Sequence, residues 1–153
     1  NLLKEIGADH VIDYKAHNSY DSLLGALKKA APKGIDVYFD NVGGDHLEAA
    51  IECARPMARF AECGMISQYN ATEPVPGPRN IIQVVGKQLS IRGFIVSTHA
   101  DLQEQFLKDM SGWIKDGKLK FEETVMEGVE SAPEAFLGLF QGRNTGKMLV
   151  KLA

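Results

Sequence analysis

The stretch Ile35-Asp36-Val37-Tyr38-Phe39-Asp40-Asn41-Val42-Gly43-Gly44 decides the fold. Ile35 to Asn41 is short, β-prone and apolar, the pattern of a buried strand. It runs into two glycines. Beyond them Leu47, Ala50, Ile51 and Ala54 fall on one helical face, so the segment reads as strand, tight turn and helix. Upstream, Ser19 can cap a helix whose apolar residues Tyr20, Leu23, Leu24 and Leu27 recur at helical spacing, and Pro32-Lys33-Gly34 ends it. Before that, His10 to Tyr14 reads as another buried strand, and Asn1 to Ile6 as the tail of a helix closed by Gly7.

The alternation continues downstream. Arg59 to Cys63 is a strand ending at Gly64, and Ser67 to Pro78 is a polar loop containing prolines. Asn80 to Lys87 reads as helical, and Leu89 to Val96 as a strand interrupted by Gly93. Asp101 can open a long helix that carries Leu102, Phe106, Met110 and Trp113 and closes at Gly117. Glu123 to Met126 is a short strand. Ser131-Ala132-Pro133-Glu134 has the form of a capping box opening a helix to Phe140, and Lys147 to Leu152 is a final strand. Strands alternating with helices, the strands apolar throughout, predict an α/β fold with a parallel sheet covered by helices.

Composition narrows the function. The 153 residues carry 17 Lys and Arg against 20 Asp and Glu, a net charge of −3 with the basic residues scattered. That argues against nucleic acid or an anionic membrane as the main partner. No apolar run approaches the roughly 20 residues that a membrane helix needs. Cys53 and Cys63 are too few for a disulfide scaffold, which points to a reducing, cytoplasmic setting. They lie ten residues apart with no histidine near, so a zinc site is not expected. His10, His17, His46 and His99 form no ligand spacing.

In open α/β sheets ligands bind beyond the carboxyl ends of the strands. Three such ends stand out here: Asp40 to Gly44, Cys63 to Tyr69, and Phe94 to Val96. Glycines at the first let backbone approach a ligand, and Asn41 offers both a donor and an acceptor, although a plain strand-to-helix turn has the same residues. Phe94, Ile95 and Val96 read by themselves as core. Asp13, Asp36 and Asp40 are too far apart in sequence to be read as a catalytic pair. Gly142 to Lys147 lacks the spacing of a phosphate loop and precedes a strand, so it reads as a turn. No G-x-G-x-x-G fingerprint occurs.

Taken together, Gly7-Ala8-Asp9-His10-Val11-Ile12-Asp13-Tyr14-Lys15, Tyr38-Phe39-Asp40-Asn41-Val42-Gly43-Gly44, Cys63-Gly64-Met65-Ile66-Ser67-Gln68-Tyr69-Asn70, Gly93-Phe94-Ile95-Val96 and Gly142-Arg143-Asn144-Thr145-Gly146-Lys147 resemble one family. It is the zinc-independent medium-chain dehydrogenases/reductases, in the branch of prostaglandin (leukotriene) reductases and double-bond reductases. The resemblance implies an NADPH site. Tyr14 would hold the adenosine 2′-phosphate. Asn41, Cys63, Gly64, Met65, Ile66, Ser67, Gln68, Tyr69, Phe94, Ile95, Val96 and Asn144 would line the rest of the cofactor pocket. The implied reaction adds a hydride to the β-carbon of an α,β-unsaturated ketone or aldehyde and a proton to the α-carbon. Several relatives place a tyrosine where Gly86 stands, and glycine cannot donate a proton, so no catalytic residue is assigned.

The resemblance covers only the second half of the family's sequence, so the chain is expected to be a fragment. Residues 1–117 would be an incomplete NADP-binding Rossmann domain, and residues 118–153 a segment returning to the catalytic domain. In the order 3-2-1-4-5-6, Val11 to Tyr14 would be strand 3, with both neighbours missing and its backbone groups unpaired. Val37 to Asp40, Arg59 to Cys63 and Ile91 to Val96 would be strands 4, 5 and 6. The edge Ile91 to Val96 would pair with a second copy in a homodimer. Rival readings are a quinone reductase of the neighbouring branch, a non-catalytic nucleotide-binding module, and a methyltransferase on a similar sheet.

Overall fold

The computed structural model describes residues 2–152. It divides into two compact units, Asn1–Gln103 and Glu104–Ala153.

In the first unit α1 (Leu2–Glu5) ends at Gly7, which takes the positive φ of +105° that a side chain resists. The expected strand from His10 to Tyr14 does not form. The chain runs past α2 without ladder bonds and closes in a 3-10 turn over Tyr14–Ala16, where the Asp13 carboxylate accepts the Lys15 N–H at 3.1 Å. A strand exists only with a partner, and among the described residues the sheet offers none to this segment. Val11 and Ile12 instead lie half-buried along a shallow cleft beside Ala26 and Ala30.

Ser19 caps α2 (Tyr20–Ala30) as expected, its hydroxyl accepting the Ser22 N–H at 3.3 Å. The sheet follows: β1 (Ile35–Asp40), α3 (Asp45–Cys53), β2 (Ala54–Glu62) and β3 (Ser90–Gly93), with strand order β1-β2-β3, all parallel. From Val37 to Asp40 the register is regular, Val37 opposite Arg59 and Asp40 opposite Glu62. β2 begins earlier than Arg59, because α3 passes straight into extended chain at Ala54. A register shift and the positive φ of Met57 (+67°) absorb the extra residues.

The core lies on one face of this sheet. Alternate residues Tyr38, Ala58 and Phe60 meet Leu47, Ala50 and Ile51 of α3, with the rings of Tyr38 and Phe60 5.2 Å apart. The helical face read from the sequence is therefore the face that packs. On the opposite sheet face Val37 and Phe39 stay exposed.

Two expected elements shrink. The helix over Asn80 to Lys87 is reduced to α4 (Gln83–Gly86), preceded by turns whose N–H groups of Gln83, Val84 and Val85 bond three residues back. The Asn80 side chain is occupied with the Glu48 carbonyl at 2.9 Å and so ties this segment to α3. The expected strand Leu89 to Val96 keeps only β3, because Gly93 ends the ladder and a 3-10 stretch takes over at Val96.

In the second unit α5 (Gln103–Lys115) closes at Gly117 (φ +67°), as expected, although Asp101 belongs to the preceding 3-10 stretch rather than to the helix. β4 (Glu123–Glu127), α6 (Ala132–Gln141) and β5 (Lys147–Lys151) form a parallel β-α-β unit with Ala135 and Gly138 buried. The capping box at Ser131 is not made. A 3-10 turn runs directly into α6, leaving Ser131 in helical geometry, and its hydroxyl donates to the Gly128 carbonyl at 2.8 Å instead. Gly142 ends α6 in the left-handed conformation, with Arg143 N–H returning to the Gly138 carbonyl at 3.0 Å.

Candidate functional site

The carboxyl ends of β1, β2 and β3 converge, and backbone hydrogen bonds stitch the loops that leave them. Asp40 is buried at the end of β1. Its Oδ1 accepts the N–H groups of Val42 at 2.7 Å and Gly43 at 3.0 Å, which bends the chain into the turn. Gly43 and Gly44 both take positive φ, +71° and +56°. A Cβ on Gly43 would stand 2.9 Å from Met65, and one on Gly64 would stand 2.7 Å from the Tyr69 hydroxyl. Glycine is required at Gly43 by contact and by conformation, and at Gly64 by contact.

The loop after β2 is laid against that turn. The Asp40 carbonyl accepts Cys63 N–H at 2.9 Å and Gly64 N–H at 3.1 Å, and the Asn41 carbonyl accepts Ile66 N–H at 3.0 Å. Val42 receives Ser67 twice, from its N–H at 3.1 Å and its hydroxyl at 2.5 Å. Within the loop, Met65 N–H donates to the Tyr69 hydroxyl at 3.2 Å. On the third strand end, Phe94 N–H donates to the Glu62 carbonyl at 3.2 Å, and Thr98 donates its hydroxyl to the Ile95 carbonyl at 2.7 Å.

Between these ends opens a cavity of about 680 Å³ lined by Glu62, Cys63, Gly64, Met65, Tyr69, Gly93, Phe94, Ile95 and Thr98. Of the residues singled out in the sequence it unites Cys63, Gly64, Met65, Tyr69, Phe94 and Ile95. Asn41 and Ser67 belong to the stitched turn at its rim, Ile66 is exposed, and Gln68 faces a neighbouring recess under Val75 to Arg79. Val96 is exposed at the start of the 3-10 stretch. Tyr14 is half exposed and meets His46 edge-on, ring centres 5.3 Å apart, which sets it beside the first turn of α3. Asn144 lies in the second unit, where its side-chain N–H donates to the Gly146 carbonyl at 2.7 Å.

The three aspartates do not come together. Asp36 pairs with Arg55 at 2.9 Å, Asp13 caps a turn, and Asp40 has another carboxyl for its neighbour, Glu62. Glu62 went unnoticed in the sequence. The signal was its place as the last residue of β2, level with Asp40, which only a correct register exposes. Burial first, then the charge of Asp40, pushes the Glu62 carboxyl up to about 7. Tyr38, on the same face, is raised by burial and then by Asp40. The two thiols differ. Cys53 is buried and its pKa is raised by that burial, whereas Cys63 is exposed on the cavity wall.

Parallel strands, a helical crossover and a cleft at the strand carboxyl ends define an α/β unit of the Rossmann-like kind, with one sheet face covered by helix. Residues 1–112 match the family described as zinc-binding dehydrogenase. The chain is 43% identical over 154 aligned positions to a (+)-pulegone reductase of Mentha piperita, spanning all of this chain and 44% of the relative. It is 43% identical to prostaglandin reductase 1 of Bos taurus, over 97% of this chain and 45% of that protein. The crystal structure of CurA from Vibrio vulnificus in complex with NADPH superposes with a TM-score of 0.83 at 38% identity, over 96% of this chain and 44% of CurA. The chain thus belongs to the zinc-binding dehydrogenase family, among its zinc-independent medium-chain reductases. It spans less than half the length of these relatives. Despite the family's name, no group of three or more His, Cys, Asp or Glu among the described residues is placed to hold a metal ion.

Proposed function

We propose that this chain is the C-terminal part of an NADPH-dependent reductase acting on the carbon–carbon double bond of α,β-unsaturated ketones and aldehydes. One observation supports the reading: a cleft lined by Cys63, Gly64, Met65, Tyr69, Phe94 and Ile95 opens at the carboxyl ends of three parallel strands, in a chain 43% identical to a pulegone reductase and to a prostaglandin reductase. The residues fit the cofactor. Gly64 lines the cleft between Cys63 and Met65, and Phe94 and Ile95 give an apolar wall suited to a flat ring. Asn41 presents a donor and an acceptor at the rim, and the Tyr14 hydroxyl is free to meet the adenosine 2′-phosphate.

When bound, NADPH supplies the hydride that adds to the β-carbon while a proton adds to the α-carbon, leaving the saturated carbonyl compound and NADP⁺. The protein's share is position. The Cys63–Tyr69 loop is fixed by its bonds to Asn41, Val42 and Tyr69, so its cavity-facing residues are set before any ligand arrives. Gly86 has no proton to give, and no residue of this chain is assigned as the donor. Residues 118–153 would return to a catalytic domain, and β3, at the edge of its sheet, would pair with its twin in a homodimer of the cytoplasm.

The test uses protein in which this chain is continuous with the half its relatives carry. Loss of reduced-nicotinamide absorbance on adding an enone, with the saturated ketone recovered, is the expected result. Turnover of quinones but not enones would sink the substrate assignment. Failure to bind NADPH at all would sink the proposal.

A further inference from the structure

Two carboxyl groups stand side by side where β1 and β2 end. Asp40 and Glu62 are register partners on adjacent parallel strands, so their side chains leave the same face of the sheet. Asp40 is 1% exposed. Its Oδ1 is taken by two backbone N–H groups, but Oδ2 is buried without a partner, and so are both Glu62 carboxyl oxygens. Three buried acceptor oxygens beside one another cannot all carry carboxylate charge cheaply.

Among the described residues no cation pairs with either carboxyl. β3 sets Gly93 opposite Glu62 and turns Arg92 to the other face, where it lines a recess with Val37, Arg59 and Ala61. On α3, Asp45 is exposed and Glu48 is held by Arg79 at 2.8 Å. In the loop after β2, Cys63 carries a thiol, and the Tyr69 hydroxyl is engaged with Met65 N–H. The remaining titratable neighbour is Tyr38, on the same face of β1, and its hydroxyl stays protonated.

We infer that Asp40 and Glu62 share one proton, resident on Glu62, and that Glu62 is thereby a positioning residue for the Asn41–Gly44 turn. The allocation follows from the hydrogen bonds. Two N–H donors stabilise negative charge on Asp40, whereas Glu62 has none. A protonated Glu62 donates to Asp40 Oδ2, which satisfies one orphan oxygen on each residue and leaves Oδ1 free to hold Val42 and Gly43. The upward displacement of the Glu62 carboxyl by burial and by Asp40 agrees with that arrangement. Losing the proton puts two negative charges behind the turn and draws Asp40 away from its backbone donors. The proton arrangement belongs to the strand ends themselves and needs no ligand in the cleft.

The experiment is a carbon- and nitrogen-detected NMR titration of the 153-residue chain. It follows the Glu62 and Asp40 carboxyl carbons together with the Val42 and Gly43 amides. Expected is a Glu62 midpoint about two units or more above the ordinary glutamate value of about 4.3, with both amides moving at that same midpoint. In Glu62→Gln, which keeps a donor but cannot titrate, the amide transition disappears. In Tyr38→Phe it persists. A Glu62 midpoint in the ordinary carboxylate range overturns the inference on wild-type protein alone. A midpoint that belongs to Asp40, or amides that ignore the Glu62 titration, overturns the allocation of the proton and the positioning role respectively.

Discussion

Replacing Gly43 with alanine should separate what the turn needs from what any glycine contributes, provided Gly25→Ala is measured beside it. Gly25 sits within α2 with nothing inside 4 Å of where a Cβ would be. Alanine there reduces the entropy of the unfolded chain and suits the helix, stabilising by about 0.5–1 kcal/mol. Gly43 receives the same unfolded-state benefit and loses it in the native state. Its φ of +71° lies in the left-handed region, at a cost of about 1–2 kcal/mol for an L side chain. The new methyl would also lie 2.9 Å from Met65 Cβ and Cγ and 3.4 Å from its Cα, so a rotamer change alone cannot clear it and the loop after β2 must move. Overpacking of that kind costs about 1–3 kcal/mol. The two variants should therefore differ by about 2–5 kcal/mol in opposite directions from wild type. Urea unfolding measures this through the shift in midpoint at unchanged slope. Equal midpoints for the two variants would refute the contact and the left-handed turn together.

Phe60→Ala should cost about 3–5 kcal/mol in the same assay, since Phe60 is 2% exposed and stacks on Tyr38; a loss below about 1 kcal/mol would mean the core is elsewhere. Arg79→Ala, which strips the guanidinium from the mostly buried Glu48 carboxylate, should show a coupling of about 1 kcal/mol with Glu48→Ala in a double-mutant cycle. It should also speed proteolytic cleavage within residues 70–78, and zero coupling would remove Glu48 as the anchor of that loop. Because the folded-state pKa of Glu62 is raised to about 7, the folded chain binds this proton more tightly than the unfolded one. Stability from this group is full below about pH 4 and is lost as pH rises through about 7. Glu62→Gln should flatten that slope in pH-dependent unfolding, and an unchanged slope would assign it to another group. Brief alkylation at neutral pH followed by peptide mass mapping should label Cys63 and spare Cys53 until the chain unfolds, because Cys53 is buried and its thiolate disfavoured.

What could be read in advance follows a physical division. β1, α2 and α3 were legible because each announces itself locally: a capping serine, apolar residues at helical spacing, glycines where φ turns positive. The loop over Cys63 to Tyr69 stands out in the sequence only through resemblance, and in the structure Cys63, Gly64, Met65 and Tyr69 share one cavity wall. His10 to Tyr14 failed for the opposite reason. Its residues suit a strand, but strand is a relation between two segments, and local preference cannot supply the second. The capping box at Ser131 failed because the chain arrives already coiled, so the serine never takes the extended geometry a cap requires.

Glu62 belongs with His10 to Tyr14 rather than with the motifs. In the sequence it is one acid among twenty acidic residues, adjacent to a cysteine and a glycine that draw the eye. Its chemistry arises only when register sets it level with Asp40, and Asp40 in turn matters only because its other oxygen is spent on Val42 and Gly43. The cleft then depends little on the segment that fails to become a strand. Its floor is three parallel strands in regular register, and its rim is held by bonds from the β1 turn to the β2 loop and from β2 to Phe94. Every one of those bonds is made within Asp40 to Phe94. A perturbation confined to Leu2–His17 should thus leave the Asn41–Gly44 turn intact, whereas one at Asp40, Gly43 or Glu62 reaches the whole rim at once.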